Sequence, residues 1–177
     1  MCDEKMIDEW DEHERRSGNL TRRQFGALSV GAGFAMLLPR TVGAVDVTDA
    51  DIEVSTPDGV ADCYFVHPSS GTHPGVLIWP DALGLRPAFK QMGKRLAESG
   101  YSVLVVNQYY RETRSPVVSP GENFGQEATR NKIMPLMGTL SPQTHVTDAV
   151  AFIGFLDQQR SVDKNRKIGT TGYCMGG

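Results

Sequence analysis

The chain predicts an α/β fold built on a mostly parallel sheet with an antiparallel hairpin at its N-terminal edge. Three observations carry that expectation. The runs GVLIWP (75–80) and YSVLVV (101–106) are continuously apolar, as strands covered on both faces are. Segments of helical periodicity follow each of them. In front of them, two β-rich runs are joined by a Pro-Asp-Gly turn signal.

Taken in order, DIEVST (51–56) and VADCYFVHP (60–68) flank PDG at 57–59 and read as the hairpin. GVLIWP is the first buried strand. In RPAFKQMGKRLAESG (86–100), Pro87 suits a first helical turn and Gly100 suits a stop. Phe89, Met92 and Leu96 recur there at helical spacing. YSVLVV is the next strand. From Asn107 to about Pro142 the chain carries Pro116, Pro120, Pro135 and Pro142 and reads as loop. HVTDAVAFIGFLDQQ (145–159) reads as a second helix, with Val146, Val150, Ile153 and Leu156 or Phe155 on one stripe. RKIGTTG (166–172) is a short last strand. The alternation of strands and helices argues for parallel pairing.

Bulk composition narrows the function classes. The formal net charge is −3 over 177 residues, without the basic stripe that nucleic-acid binding requires. The apolar residues, 40% of the chain, are spread too evenly for several membrane spans. The three cysteines, Cys2, Cys63 and Cys174, are too few and too far apart for a disulfide framework. No CxxC, HExxH or zinc-spaced cluster is present, so neither a metal nor a cofactor is expected.

The first 44 residues read as an address. After an acidic stretch comes TRRQF (21–25), then the weakly apolar GALSVGAGFAMLLP (26–39), then Arg40 and the small residues VGA (42–44). The apolar run is shorter than the roughly 20 residues a helix needs to cross a bilayer. The pattern is that of a twin-arginine secretion signal, with Arg22 and Arg23 as the pair read by the translocation machinery. Cleavage after Ala44 would remove Cys2 and deliver residues 45–177 to the periplasm or beyond. The alternative is an amphipathic helix or an anchor.

The last strand runs into TGYCMGG (171–177), a glycine–x–cysteine–x–glycine–glycine turn. A nucleophile elbow has this form. The nucleophile, Cys174, stands on a strained strand-to-helix turn, so Gly172 and Gly176, with Gly177 behind them, must lack a Cβ. A following helix N-terminus favours the thiolate, the nucleophilic form. The backbone N–H of Met175 can face a developing oxyanion. The second donor is expected from the loop after the first buried strand, PDALGL (80–85), where Gly84 permits close approach.

With GVLIWPDALGL, LAESGYSVLVVNQYY and IGTTGYCMGG on the page, residues from about 51 to 177 resemble the N-terminal half of a dienelactone hydrolase family protein, in the α/β-hydrolase superfamily. The resemblance implies hydrolysis of an enol-lactone or related ester through a Cys-His-Asp triad. It implies that Ala82 supplies the second oxyanion N–H and that the carboxylate of Asp81 contacts the resting cysteine. Asn107 and Gln108 depart from the Asp-Leu that the family carries there. The superfamily order is nucleophile, acid, histidine. Both partners of Cys174 are therefore expected beyond Gly177, which makes 45–177 an incomplete domain truncated at the elbow.

Other candidates have plainer readings. Cys63 suits a core position. His67 and His73 border a surface loop, and His145 opens a helix. Arg111 and Arg114 either bind a substrate carboxylate or decorate a solvated loop, and Met134 and Met137 either line a pocket or pack. Two other functions compete with the hydrolase: a non-catalytic fragment, and a thiol redox protein, for which no resolving cysteine is present.

Overall fold

The computed structural model describes residues 45–177. The expected signal, with Arg22 and Arg23, lies outside them. Five strands form one sheet: β1 (Val47–Thr56), β2 (Gly59–Pro68), β3 (Gly75–Trp79), β4 (Ser102–Val106) and β5 (Gly169–Gly172). Their order is β1-β2-β4-β3-β5. The hairpin closes with Thr56 opposite Gly59, and β2 runs antiparallel to both β1 and β4. β3 is parallel to β4 on one side and to β5 on the other. The sheet is mixed, with β2 the single reversed strand.

Helix α1 (Pro87–Glu98) crosses from β3 to β4, and helix α3 (Pro142–Gln158) precedes β5. The apolar runs of β3 and β4 divide residue by residue between the two faces. Leu77, Trp79, Leu104 and Val106 join Phe152 and Leu156 of α3. Ile78, Val103 and Val105 join Phe89 and Ala97 of α1. A strand covered on both sides has no solvated face, so alternation disappears from its sequence. Each such side chain contributes about 1.5–3 kcal/mol by its burial. Cys63 lies buried in the α3-side core.

Two sequence expectations are corrected. The stretch from 107 to 142 contains a helix, α2 (Glu127–Met137). Its buried residues are Thr129 and Ile133. One of the two is polar, and Pro135 sits in the last turn, so apolar periodicity has little to register. The stripe expected on α3 is inside only at its C-terminal end, where Leu156 is buried and Phe155 packs against the core. Val146 and Val150 are 65% and 68% exposed, and Ile153 is exposed as well. The helix turns Asp148, Phe152 and Leu156 inward. A carboxylate can take an inward position only if it is partnered. Tyr110 Oη donates to Asp148 (2.8 Å), and Arg111 donates to both its oxygens (2.9 and 2.7 Å). The helix also starts earlier than the pattern indicates. Ser141 and Thr144 form a capping box with Pro142 at the first position.

Among the described residues, no helix is long and apolar enough to cross a membrane.

Candidate active site

The parallel strands β3 and β5 end side by side, with Trp79 opposite Gly172. The two turns that leave them are the loop 80–86 and the elbow 173–177. Tyr173 N–H donates to Trp79 O (3.2 Å), which stitches the elbow to the end of β3.

Cys174 has φ +55°, and among the described residues it alone is a non-glycine with positive φ. An L-residue in the left-handed region costs about 1–2 kcal/mol. The side chain is exposed. The flanking glycines explain how the chain can turn there. A Cβ on Gly172 would stand 1.8 Å from Gly176 O, and one on Gly176 would stand 2.5 Å from Pro80 O and 2.6 Å from Trp79 O. These contacts are with backbone and cannot be relieved by a rotamer. Gly177 is less constrained, its nearest contact being Cys174 O at 3.3 Å. Cys174–Gly176 form a single 3-10 turn.

The two expected oxyanion donors come together in one small apolar cluster. Ala82, Tyr109, Val117, Val118 and Ile133 form it, and Met175 and Met137 pack against it. Met134 is exposed. Among the described residues neither the Met175 N–H nor the Ala82 N–H has a hydrogen-bond partner. Tyr109 links the pair: its Oη donates to Ala82 O (2.9 Å) and lies 3.6 Å from Met175 Sδ. Burial pushes the Tyr109 phenol up to about 12, so it stays a donor at neutral pH. Nothing in the sequence distinguished Tyr109 from its neighbour Tyr110.

Asp81 is engaged otherwise than the resemblance implies. Its Oδ1 accepts from Leu83 N–H (2.9 Å) and from Arg86 (2.6 Å), and its Oδ2 accepts from Arg86 (2.9 Å). Among the described residues no hydrogen bond joins it to Cys174. The sequence reading missed Arg86. The signal was available as an Asp–Arg pair five residues apart around a glycine.

Asn107 and Gln108, the departures from the family pattern, are both buried. Asn107 is scaffolding: its Nδ2 donates to Asp62 Oδ1 (2.8 Å) and Thr113 O (2.9 Å). Gln108 Nε2 donates to Asp81 O (2.8 Å), while its buried Oε1 has no partner among the described residues.

Arg114 takes the solvated position expected of it, while Arg111 is drawn into an ion-pair network. Arg111 bridges Asp148 and Asp58, and Arg114 pairs with Glu53. Among the described residues no histidine hydrogen-bonds the thiol. His67 Nδ1 contacts Pro68 O and His73 lies between Gly100 O and Ser70 O. His145 contacts Ser141 O and stacks on Trp79. Among the described residues no group of three or more His, Cys, Asp or Glu is placed to hold a metal ion.

Comparison with known proteins bears on this geometry. The family model described as "Dienelactone hydrolase family" matches residues 61–177. The chain belongs to that family. A protein of Methylorubrum extorquens named "Putative carboxymethylenebutenolidase" is 27% identical over 170 residues, 89% of this chain and 54% of its own length. The crystal structure titled "Putative Dienelactone Hydrolase" from Klebsiella pneumoniae aligns with TM-score 0.59 at 16% identity, over 74% of this chain and 51% of that one. The "Dienelactone Hydrolase-like Promiscuous Phospotriesterase P91" from metagenomic libraries aligns with TM-score 0.56 at 23% identity, over 76% and 51%. The two structures share the α/β-hydrolase fold with this chain. The chain spans about half the length of these relatives. Membership makes it a hydrolase-family protein.

Proposed function

We propose that Cys174 is the nucleophile of a hydrolase acting on a small carboxylic ester or lactone. The Sγ thiolate adds to the carbonyl carbon, and the N–H groups of Met175 and Ala82 stabilise the oxyanion. Collapse breaks the carbonyl–oxygen bond, and the alkoxide leaves with its electron pair, taking a proton from solvent or a general acid. Water then cleaves the thioester and returns the thiol. The observation that carries this reading is the left-handed backbone of Cys174 between two glycines that admit no Cβ. Strain of this kind, held by its surroundings, marks functional positions.

Turnover needs a base for the water step. None of the described histidines contacts Cys174, so we place that histidine and its orienting acid in the half of the family fold that follows the elbow. The same observation favours a second reading, in which the chain by itself is acylated without turning over. We also propose that the protein is exported by the twin-arginine route through Arg22 and Arg23.

The test uses p-nitrophenyl acetate and protein purified from its own host. Intact mass should show loss of residues 1–44 and a gain of one acetyl group, mapped by peptide to Cys174. Cys174→Ala should release no burst of p-nitrophenolate. Acetylation elsewhere, or an undiminished burst in Cys174→Ala, would sink the nucleophile assignment.

A further inference from the structure

We infer that Arg86 is a positioning residue for this chemistry: its guanidinium closes the 81–86 loop into a rigid ring that holds the Ala82 N–H in place. The inference rests on the thiol-nucleophile reading above and adds a residue that reading does not use.

An oxyanion donor works only if it is fixed before the charge develops. The loop carrying Ala82 has little of its own to fix it. Its one internal backbone hydrogen bond runs from Gly84 N–H to Asp81 O (2.9 Å), and Gly84 sits at φ +72°. Side chains supply the rest. Arg86 grips Asp81 with both arms of its fork, at 2.6 and 2.9 Å, and also donates to Gly84 O at 3.1 Å. The guanidinium therefore holds residues on both sides of the Ala82–Leu83 segment. Leu83 N–H is tied to the same carboxylate from inside the ring.

Arg86 is itself well anchored. It is the N-cap residue of α1, and its carbonyl accepts from Phe89 N–H (2.9 Å) and Lys90 N–H (3.2 Å). Its guanidinium carbon lies 5.0 Å from the centroid of the Phe89 ring. Phe89 packs edge-on against Tyr173, 5.5 Å between centroids, and Tyr173 is bonded to Cys174. A chain of contacts thus runs from the loop of one oxyanion donor to the residue before the nucleophile. The Arg86 and Asp81 side chains are 22% and 26% exposed. Ion pairs near the surface add little to stability, so the gain lies in geometry. Only arginine has the planar fork that grips both carboxylate oxygens; lysine offers a point charge.

The test compares two reactions of one thiol in the full chain. Alkylation of Cys174 by iodoacetamide passes through no oxyanion, whereas acetylation by p-nitrophenyl acetate does. Both rates are read on the Cys174 peptide by mass spectrometry, which separates it from Cys2 and Cys63. In Arg86→Met and in Arg86→Lys, acetylation should slow by about 10- to 100-fold, the scale expected of a misplaced catalytic group, while alkylation stays within about twofold. Unchanged acetylation in either variant overturns the inference. So does an equal fall in both reactions, or failure of both variants to fold, since each makes Arg86 a residue of the thiol's environment or of the fold. If Cys174 of the unsubstituted chain is not acetylated at all, the nucleophile reading fails first and takes this inference with it. If it is acetylated and the variants match it, the nucleophile reading stands and the inference alone falls.

Discussion

Two arginine–aspartate pairs, Arg111–Asp148 and Arg86–Asp81, stand in the same sheet-ended fold and do different things. Asp148 is buried and fully partnered. Arg111 takes both of its oxygens, and Tyr110 adds a hydrogen bond while itself lying 2.7 Å from Thr56 Oγ1. Arg111 reaches on to Asp58 in the hairpin turn, tying α3 to the hairpin. Asp81 is more exposed, and the groups beside it are not all satisfied. Among the described residues the N–H groups of Ala82 and Met175 and the Gln108 amide oxygen have no hydrogen-bond partner, and Cys174 is strained. Saturated hydrogen bonding around a buried charge makes a joint. Unspent donors around a strained, exposed thiol suit the proposed role, in which a ligand's charge is received.

That contrast can be broken from either side. The largest effect on stability should come from Asp148→Ala, which leaves the Arg111 guanidinium short of its buried partner. Breaking such a pair costs about 3–5 kcal/mol; because Asp58 remains, we expect about 3 kcal/mol, read from denaturant midpoints. Acetylation of Cys174 under native conditions should not change. If it falls with stability, the two regions are coupled and the contrast is wrong.

Gly176→Ala probes the other side. Its Cβ must displace the backbone of Trp79 and Pro80. Overpacking of this kind costs about 1–3 kcal/mol, and Cys174 acetylation should fall by at least about tenfold as the Met175 N–H moves. A variant that keeps its acetylation rate would show that the elbow does not need this contact.

The smallest effect is one of pH. Burial raises the pKa of Asp62, but hydrogen bonds from Ser115 and Asn107 outweigh it and hold the carboxyl below its usual range. A carboxyl depressed on folding stabilises the fold above its unfolded pKa, and that contribution disappears as pH falls through the folded value. Stability should therefore decline less steeply in Asp62→Asn than in the unsubstituted chain as pH falls through and below the ordinary carboxylate range. Equal slopes would remove Asp62 from the acid response.

The elements were legible where one local signal sufficed. The β3 and β4 runs, Pro87 and Gly100 around α1, and the hairpin turn each follow from burial or backbone geometry within a few residues. The elbow was legible for the same reason. Glycine at 172 and 176 is a requirement of the turn itself. What failed were inferences that needed a partner from elsewhere. Up to the shared Leu156, the apolar Val146, Val150 and Ile153 make a better stripe than Asp148 and Phe152. The helix nevertheless turns the second set inward, because Arg111 and Tyr110, 37 and 38 residues away, neutralise Asp148. Helix α2 hides behind a buried threonine and a proline for a related reason: its place is set by the cluster around Tyr109 and Ala82.

By itself, then, the sequence determined the α/β class, the strand and turn positions of the sheet's centre, and the glycine-flanked turn that carries Cys174. These depend on propensity, periodicity and steric exclusion, which act over a few residues. Tertiary structure alone decided which face of α3 is inside, that Asp81 is given to Arg86, and that Tyr109 ties Ala82 to Met175. Each of those is a choice among partners distant in sequence, and a buried charge or hydroxyl settles on whichever complementary group the fold brings within about 3 Å.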